Sequence, residues 1–272
     1  MNNLSNISFY KKSNFAIAFF FLEKKKREAL SIFYNFARYV DDIADSKKLP
    51  TNIKIEKLLE IKQRIDKIYS NIDLNDEFSK LRDIIKYYNI PKTCFDELIN
   101  GMLYDCKDVD VKTMDELERY MYKVASVVGI AVLKISGYKG NNLYEIARYS
   151  GYAVQMTNIL RDFYEDYNNN RIYIPKEHRI KILGSEKIDI NDTDKIKKLI
   201  EFEKNINKNY YEISSKLIRE YKTSSLFVSS LMKNIYKEIL NEINFESIKK
   251  NHKISNYTRI KSLINSILEI YF

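Results

Sequence analysis

The sequence predicts an all-α protein, and three observations carry that reading. Only 6 Gly and 3 Pro punctuate 272 residues, which argues for long helices with short connections. Apolar residues recur at helical spacing in one window after another. No stretch alternates apolar and polar residues as a half-buried strand would, and no internal repeat of about 20–50 residues appears. Hydrophobic residues make up 45% of the chain, ample for a buried core. No linker divides it, so residues 1–272 read as a single domain.

The elements follow in order. The N-terminal arm ends near Lys12, and Ser13 or Asn14 suits the N-cap of a short helix reaching Leu22. Its apolar run, FAIAFFFL, lies between lysines and imitates a signal peptide. It lacks a small-residue cleavage site, runs directly into Lys24 and Arg27, and at eight residues is too short to cross a bilayer. It reads as a buried first helix. Residues 26–46 form a long helix with Ala29, Ile32, Phe33, Phe36, Ala37, Val40 and Ile43 at helical spacing. Residues 47–51, with Pro50, are a loop. Residues 53–69 are amphipathic, 71–73 a turn, and 77–88 another helix. Pro91 fits the first turn of a helix ending near Asp105. After a loop at 108–113, residues 114–136 form a long helix whose segment VASVVGIAVL is too apolar to face water on any side. Residues 137–142 break it. Residues 143–167 are helical with a kink expected at Gly151, residues 168–170 end the helix, 171–175 are irregular and 178–191 are loop. Helices at 193–221, 224–244 and 255–271 complete a set of about nine to twelve.

Two of these helices carry chemistry. Asn158, Asp162 and Asp166 recur at spacing four, stacking three oxygen-bearing side chains along one face. Taken alone this is a solvated polar face. The helix at 26–46 supplies a second one: Tyr34, Arg38, Asp41 and Asp45 share a face, with Asp42 beside them. Carboxylates at a helix C-terminus oppose the macrodipole by roughly 0.3–1 kcal/mol each, so three of them there suggest a cation, or a surface cluster with Arg38. Two such faces brought together make a cage of hard oxygen ligands, which suits Mg²⁺ and not zinc or copper. Mg²⁺ keeps waters and bridges few carboxylates to phosphates, so the implied substrate is a phosphate or diphosphate ester. The neighbouring helices are apolar, so its organic part should be greasy.

The remaining features bound the function. Net charge is +9, spread along the chain. No basic run is interleaved with aromatics on a nucleic-acid module, so nucleic acid is not expected; diphosphates, an anionic membrane surface or plain solvation account for the charge. No transmembrane segment is expected. Cys94 and Cys106 belong to no CxxC or Cys/His set, which fits a reduced, cytoplasmic protein, soluble or membrane-peripheral. His178 and His252 read as surface residues, and no side chain looks like a covalent nucleophile.

These residues resemble the squalene/phytoene synthase family, which joins two prenyl diphosphates head to head. FYNFARYVDDIAD is similar to its first signature, and GYAVQMTNILRDFYEDYNNNRIYIP to its second, including Gly151, Gln155, Asn158, Arg161, Asp162, Asp166, Arg171 and Tyr173. Ser13-Asn14-Phe15 is similar to the family's opening segment, ELINGMLYD ends in a usually acidic Asp105, and ERYMYKVASVVG matches a third stretch with Ser126 in place of Gly. Asn170 replaces the usual Gly before Arg171. Tyr236 begins a tyrosine-led segment, and Lys253 stands where a basic residue is expected.

The resemblance implies an isoprenoid-synthase helical bundle around a deep central cavity, with two to three Mg²⁺ ions. It implies that Asp41, Asp45, Asn158, Asp162 and Asp166, with Asp42 beside them, hold metal, and that Tyr34, Arg38, Arg161, Arg171 and Lys253 hold diphosphate oxygens. Gln155 and Tyr236 join them as substrate-binding positions. Phe15, Phe19, Val124, Ala125, Val128, Gly129 and Ala153 are expected to line the cavity, and residues 171–175 to form a flap over the diphosphates. The expected reaction joins two farnesyl diphosphates through presqualene diphosphate to a squalene-type C30 product. Phytoene formation from two geranylgeranyl diphosphates is the runner-up. NADPH use stays undecided, because no Gly-rich strand-turn-helix fingerprint is present and reducing members of the family often lack one. Two rivals remain: a head-to-tail prenyl elongase, since Asp41-Asp42-x-x-Asp45 fits DDxxD, and a non-catalytic lipid-binding partner.

Overall fold

The structure, a computed structural model, describes residues 15–72, 78–249 and 256–271. The expected cap at Ser13 or Asn14, His252 and Lys253 lie outside the described residues, as does the side chain of Phe15. The described chain is almost wholly helical. In order come α1 (Phe15–Phe20), α2 (Lys24–Ala44), α3 (Thr51–Tyr69), α4 (Ser79–Tyr88), α5 (Thr93–Asp105), α6 (Met114–Met121) and α7 (Val127–Ser136). Then follow α8 (Leu143–Arg161), α9 (Phe163–Asn168), α10 (Lys176–Leu183), α11 (Thr193–Tyr221), α12 (Phe227–Glu242) and α13 (Asn256–Tyr271).

Local chemistry accounts for several boundaries. The Thr113 side chain accepts from the Glu116 backbone N–H (3.2 Å) and caps α6, and Asp192 accepts from Lys195 (3.1 Å) to start α11. Gly137 ends α7 in the left-handed region, at φ 89°. The first helix is only partly buried: Ala18 and Phe19 enter the core, whereas Phe20 and Phe21 are exposed.

The structure departs from the sequence pattern in four places. The long helix expected at 114–136 is split by a π-helical turn, Tyr122–Ser126. The helix expected to run to residue 167 breaks at Asp162, whose φ −96° and ψ 10° lie outside the helical range, and α9 starts afresh. Residues expected as loop after 178 are partly helix, because Pro175 pre-sets the first turn of α10. The two segments read as loop and irregular contain a short parallel pair, β1 (Val109–Asp110) with β2 (Arg171–Ile172), Val109 opposite Arg171. Residues 171–175 are therefore pinned to the body by backbone hydrogen bonds such as Val111 N–H to the Ile172 carbonyl (3.0 Å).

The core sits around α8, which packs against α7, the π-turn, α11 and α12. Gly151 does not kink α8, which is continuous through it. It lets α8 approach the π-turn: a Cβ there would lie 2.6 Å from the Ser126 backbone nitrogen. On the other side Asn207 and Tyr211 of α11 bond to Thr157 (3.0 and 2.8 Å), satisfying buried polar groups where the two helices meet. Helix α12 is buried along nearly its whole length, with α13 laid over it.

Candidate active site

The helices enclose a cavity of about 450 Å³ with a charged mouth and an apolar interior. Its mouth is framed by the two acidic faces. The C-terminal half of α2 contributes Tyr34, Arg38 and Asp41, and its C-cap Asp45; the end of α8 and the start of α9 contribute Gln155, Asn158, Arg161, Asp162 and Asp166. Helix spacing places each set on one side of its helix. The break at Asp162 bends the second line, so Asp166 projects from a separate short helix.

Three arginines tie the carboxylates together. Arg38 bonds Asp41 and Asp42, both at 2.8 Å. Arg161 grips Asp162 with two bonds, Nε to Oδ1 at 2.7 Å and Nη2 to Oδ2 at 2.5 Å, and also donates to Tyr236. Arg171, carried on β2, crosses to α2 and donates to Asp45 at 2.7 Å. The fork geometry of guanidinium makes such bridges directional.

Behind Arg171 sits a trio that the sequence reading did not place in the site. Asp105, at the end of α5, is buried and accepts from the hydroxyls of Tyr173 (2.7 Å) and Tyr120 (3.0 Å). The two rings stack with centroids 4.8 Å apart. All three line the cavity. Asp105 and Tyr173 stand in the family-like stretches, but the trio is made by contacts 15 and 68 residues apart in the chain, which helical spacing does not show.

The charge balance leaves some carboxylates hungry for a cation. Burial, followed by the charge of Asp162, pushes Asp166 up to about 8 against the opposing pull of Arg171. Burial and then Asp45 push Asp41 up to about 6, with Arg38 opposing. Burial pushes Asp105 up to about 7, although Tyr173, Arg171 and Tyr120 favour its charged form. The buried Asn158 Oδ1 has no hydrogen-bond partner. An oxygen left unsatisfied among repelling carboxylates fits a hard cation. Among the described residues no three acidic, histidine or thiol groups converge on one point, so no closed protein cage exists.

The interior wall comes from the π-turn and α7. Val124, Ala125, Val128 and Gly129 line it together with Leu98, Met102 and Val154. Gly129 also serves packing, since a Cβ there would lie 3.3 Å from Ala147. Helix α12 closes the far side with Ser229, Met232, Lys233 and Tyr236. Lys233 was missed because a lysine in an amphipathic pattern reads as solvated; here it is fully buried, bonded to Ser215 (2.7 Å) and ion-paired with Glu269.

Some expected positions are not brought in. Phe19 and Ala153 are buried in the core and do not line the cavity, Phe19 because α1 turns it inward and Ala153 because it faces α11. Asp42 lies off the lining and stays half exposed, held by Arg38. His178 is largely buried; its Nδ1 meets buried Glu203 at 2.8 Å, and neither residue lines the cavity.

The profile described as "Squalene/phytoene synthase" matches residues 10–247. A phytoene synthase of Mycobacterium tuberculosis is 30% identical over 232 residues, covering 84% of this chain and 76% of the relative. A presqualene diphosphate synthase of Rhodopseudomonas palustris is 32% identical over 178 residues, 64% of this chain and 63% of the relative. In fold, a dehydrosqualene synthase crystal structure superposes with TM-score 0.82 at 24% identity, covering 96% of this chain and 93% of that one. A squalene synthase from Alicyclobacillus acidocaldarius gives TM-score 0.78 at 21% identity, covering 90% and 92%. The chain thus belongs to the squalene/phytoene synthase family and is a prenyltransferase of the head-to-head type.

Proposed function

We propose that the protein condenses two farnesyl diphosphates through presqualene diphosphate to a squalene-type C30 product, releasing diphosphate, with two to three Mg²⁺ ions as cofactor. The carrying observation is the mouth of the cavity: two acidic faces and three arginines, one of them, Arg171 of β2, bonded to Asp45, above an apolar chamber. Asp41, Asp45, Asn158, Asp162 and Asp166 would hold the metal, shared with substrate phosphates because no closed cage is present. Bound Mg²⁺ neutralises the diphosphate and makes it a better leaving group.

This chain's own residues supply the rest. Arg38, Arg161 and Arg171 each hold a carboxylate that a metal ion would take over, and their freed forks suit phosphate oxygens, with Tyr34, Gln155 and Tyr236 completing the polar rim. The walls at Ala125, Val128 and Gly129 give the prenyl chains an apolar berth and exclude the water that would quench an allylic cation. The stacked rings of Tyr120 and Tyr173 offer negative faces near the mouth. We infer that residues 1–272 form one domain and that the protein is cytoplasmic, meeting membranes only at their surface. Among the described residues no helix is long and apolar enough to cross a membrane.

A second reading, two geranylgeranyl diphosphates to a C40 product, is favoured by the relatives named phytoene synthase. Mass spectrometry of products from C15 and C20 diphosphates, each with and without NADPH, separates the two. A C30 product from the C15 substrate is expected. Turnover confined to the C20 substrate overturns the choice of farnesyl chains, and a head-to-tail product overturns the reaction type.

A further inference from the structure

Arg179 of α10 takes no part in the cavity lining, yet it is only 2% exposed. One Nη donates to the Glu186 carbonyl at 2.5 Å. The other donates to the Asp110 carboxylate of β1 and, at 3.4 Å, to the Val111 carbonyl. Its buried Nε has no partner. A guanidinium buried with one donor unsatisfied costs free energy, and an apolar side chain of similar size would cost less. Stability is therefore a poor reason for an arginine at this position. What the planar fork supplies is direction.

The contacts show what is directed. Three segments meet at the guanidinium: β1, α10, and the loop after α10, where the chain turns at Gly184 (φ 70°). Residues 105–112 lie against 170–177 through a run of backbone hydrogen bonds. Val109 N–H reaches the Asn170 carbonyl (3.0 Å), Val111 N–H that of Ile172 (3.0 Å), Lys176 N–H that of Val111 (2.9 Å) and Glu177 N–H that of Lys112 (3.2 Å). Arg179 clasps the later end of this run. At its earlier end stand two residues of the site: Arg171 donates to the Asp105 carbonyl (3.0 Å), and Tyr173 to the Asp105 carboxylate (2.7 Å). A slip of one strand along the other would move both. Helix α10 is itself anchored to α11, where His178 meets buried Glu203 at 2.8 Å.

We propose that Arg179 is a positioning residue for the reaction: by clasping β1 to α10 it fixes the register of the strand pair, and with it the aim of Arg171 at the mouth of the cavity. The inference rests on the reading of Arg171 as a diphosphate-holding residue and names what sets its place. A guanidinium aimed before substrate arrives spares the binding step the cost of ordering it.

A double-mutant cycle separates positioning from general stability. Arg179→Leu is expected to lower kcat/KM for farnesyl diphosphate about tenfold, the scale of a small misplacement of a group at the site. In the Arg171→Lys background the same change should cost less than about twofold, because the group it aims is already gone. Arg179→Lys, with a charge but no fork, should fall between wild type and Arg179→Leu. Calorimetric titration with inorganic diphosphate and Mg²⁺ gives the same cycle without turnover. Amide hydrogen exchange should quicken at 109–111 and 171–177 in Arg179→Leu and stay unchanged in α8 and α12. Rates and diphosphate affinity within about twofold of wild type, equal losses in both Arg171 backgrounds, or exchange that quickens throughout the chain each overturns the proposal. If Arg179→Leu does not fold, Asp110→Asn, at a half-exposed position, takes its place in the cycle under the same criteria. If wild type released no diphosphate from C15 or C20 substrates, the proposed reaction would fall, while the binding cycle and the exchange would still decide the role of Arg179.

Discussion

Arg171 donates to the Asp45 carboxylate at 2.7 Å across 126 residues of chain, and its other Nη reaches the backbone carbonyl of Asp105 at 3.0 Å. One guanidinium thus joins the end of α2, the end of α5 and strand β2. Lysine keeps the charge but cannot span both partners. Arg171→Lys is expected to lower kcat/KM for farnesyl diphosphate by roughly 10–100-fold, the equivalent of one charge-assisted hydrogen bond of about 1.5–3 kcal/mol. Steady-state diphosphate release measures it. A variant within twofold of wild type would show that the bridge is scaffolding and not part of the diphosphate site.

The two acidic faces make the same prediction from opposite walls. Asp41→Ala and Asp162→Ala should each cut diphosphate release on the order of 100-fold or more, the scale for removing a group aimed at developing charge. The Mg²⁺ concentration giving half-maximal rate should rise in both. A non-catalytic lipid binder would behave otherwise: wild type and both variants would release nothing, while apolar ligand still bound.

Metal-free stability should depend on pH with an unusual sign. Burial raises Asp105 to about 7 against the pull of Tyr173, Arg171 and Tyr120, and burial followed by the charge of Asp162 raises Asp166 to about 8. The folded state therefore holds protons that the unfolded chain releases near pH 4. Their contribution is fully present below that value and is lost as pH rises through about 7 to 8. In EDTA the melting temperature should fall between pH 5 and pH 8.5, by a stability change on the order of a few kcal/mol. Saturating Mg²⁺ should flatten the curve, because a bound cation favours the ionised carboxylates. A metal-free melting temperature that rises over this interval contradicts the assignment.

Gly151→Ala tests the contact that shapes the cavity wall. The added methyl would lie 2.6 Å from the Ser126 nitrogen and 2.7 Å from its Cα, both backbone atoms that cannot rotate away. Overpacking of this kind costs about 1–3 kcal/mol. Calorimetry should show a melting temperature lower by roughly 2–4 °C per kcal/mol. Turnover should fall too, since the displaced turn carries Val124 and Ala125. An unchanged melting temperature would mean that the two helices have slack.

What the sequence made legible was whatever depends on spacing within one helix. Asp41 and Asp45, or Asn158 and Asp162, are placed by the helical period alone, and the apolar faces of α2 and α3 follow from the same rule. Features set by contacts between helices were not legible. The π-turn at Tyr122–Ser126 exists beside the close approach at Gly151, and nothing in YKVAS announces it. The break at Asp162 accompanies a side chain held by Arg161, one residue away, in a stretch of good helix formers. Lys233 and Glu269 form a buried pair 36 residues apart that each helix, taken singly, would leave in water.

Val128 is the position at which chain length should be most open to control. It lines the cavity from α7 and is only partly buried, so a change in its volume is felt in the chamber. Gly129 is unsuitable, because a Cβ there already meets Ala147 at 3.3 Å on three atoms. Enlarging residue 128 removes space that a prenyl chain would fill, and shrinking it adds space. Val128→Phe is expected to spare C15 turnover more than C20 turnover, and Val128→Ala to shift the ratio towards C20, each by roughly tenfold, since a few methylenes gained or lost in a pocket are worth about 1–3 kcal/mol. Competition between C15 and C20 diphosphates, read by mass spectrometry, gives the ratio of kcat/KM values directly. If both variants moved the ratio in the same direction, Val128 would act by disturbing α7, and the depth of the chamber would be set elsewhere, with Met232 on α12 the next wall residue to change.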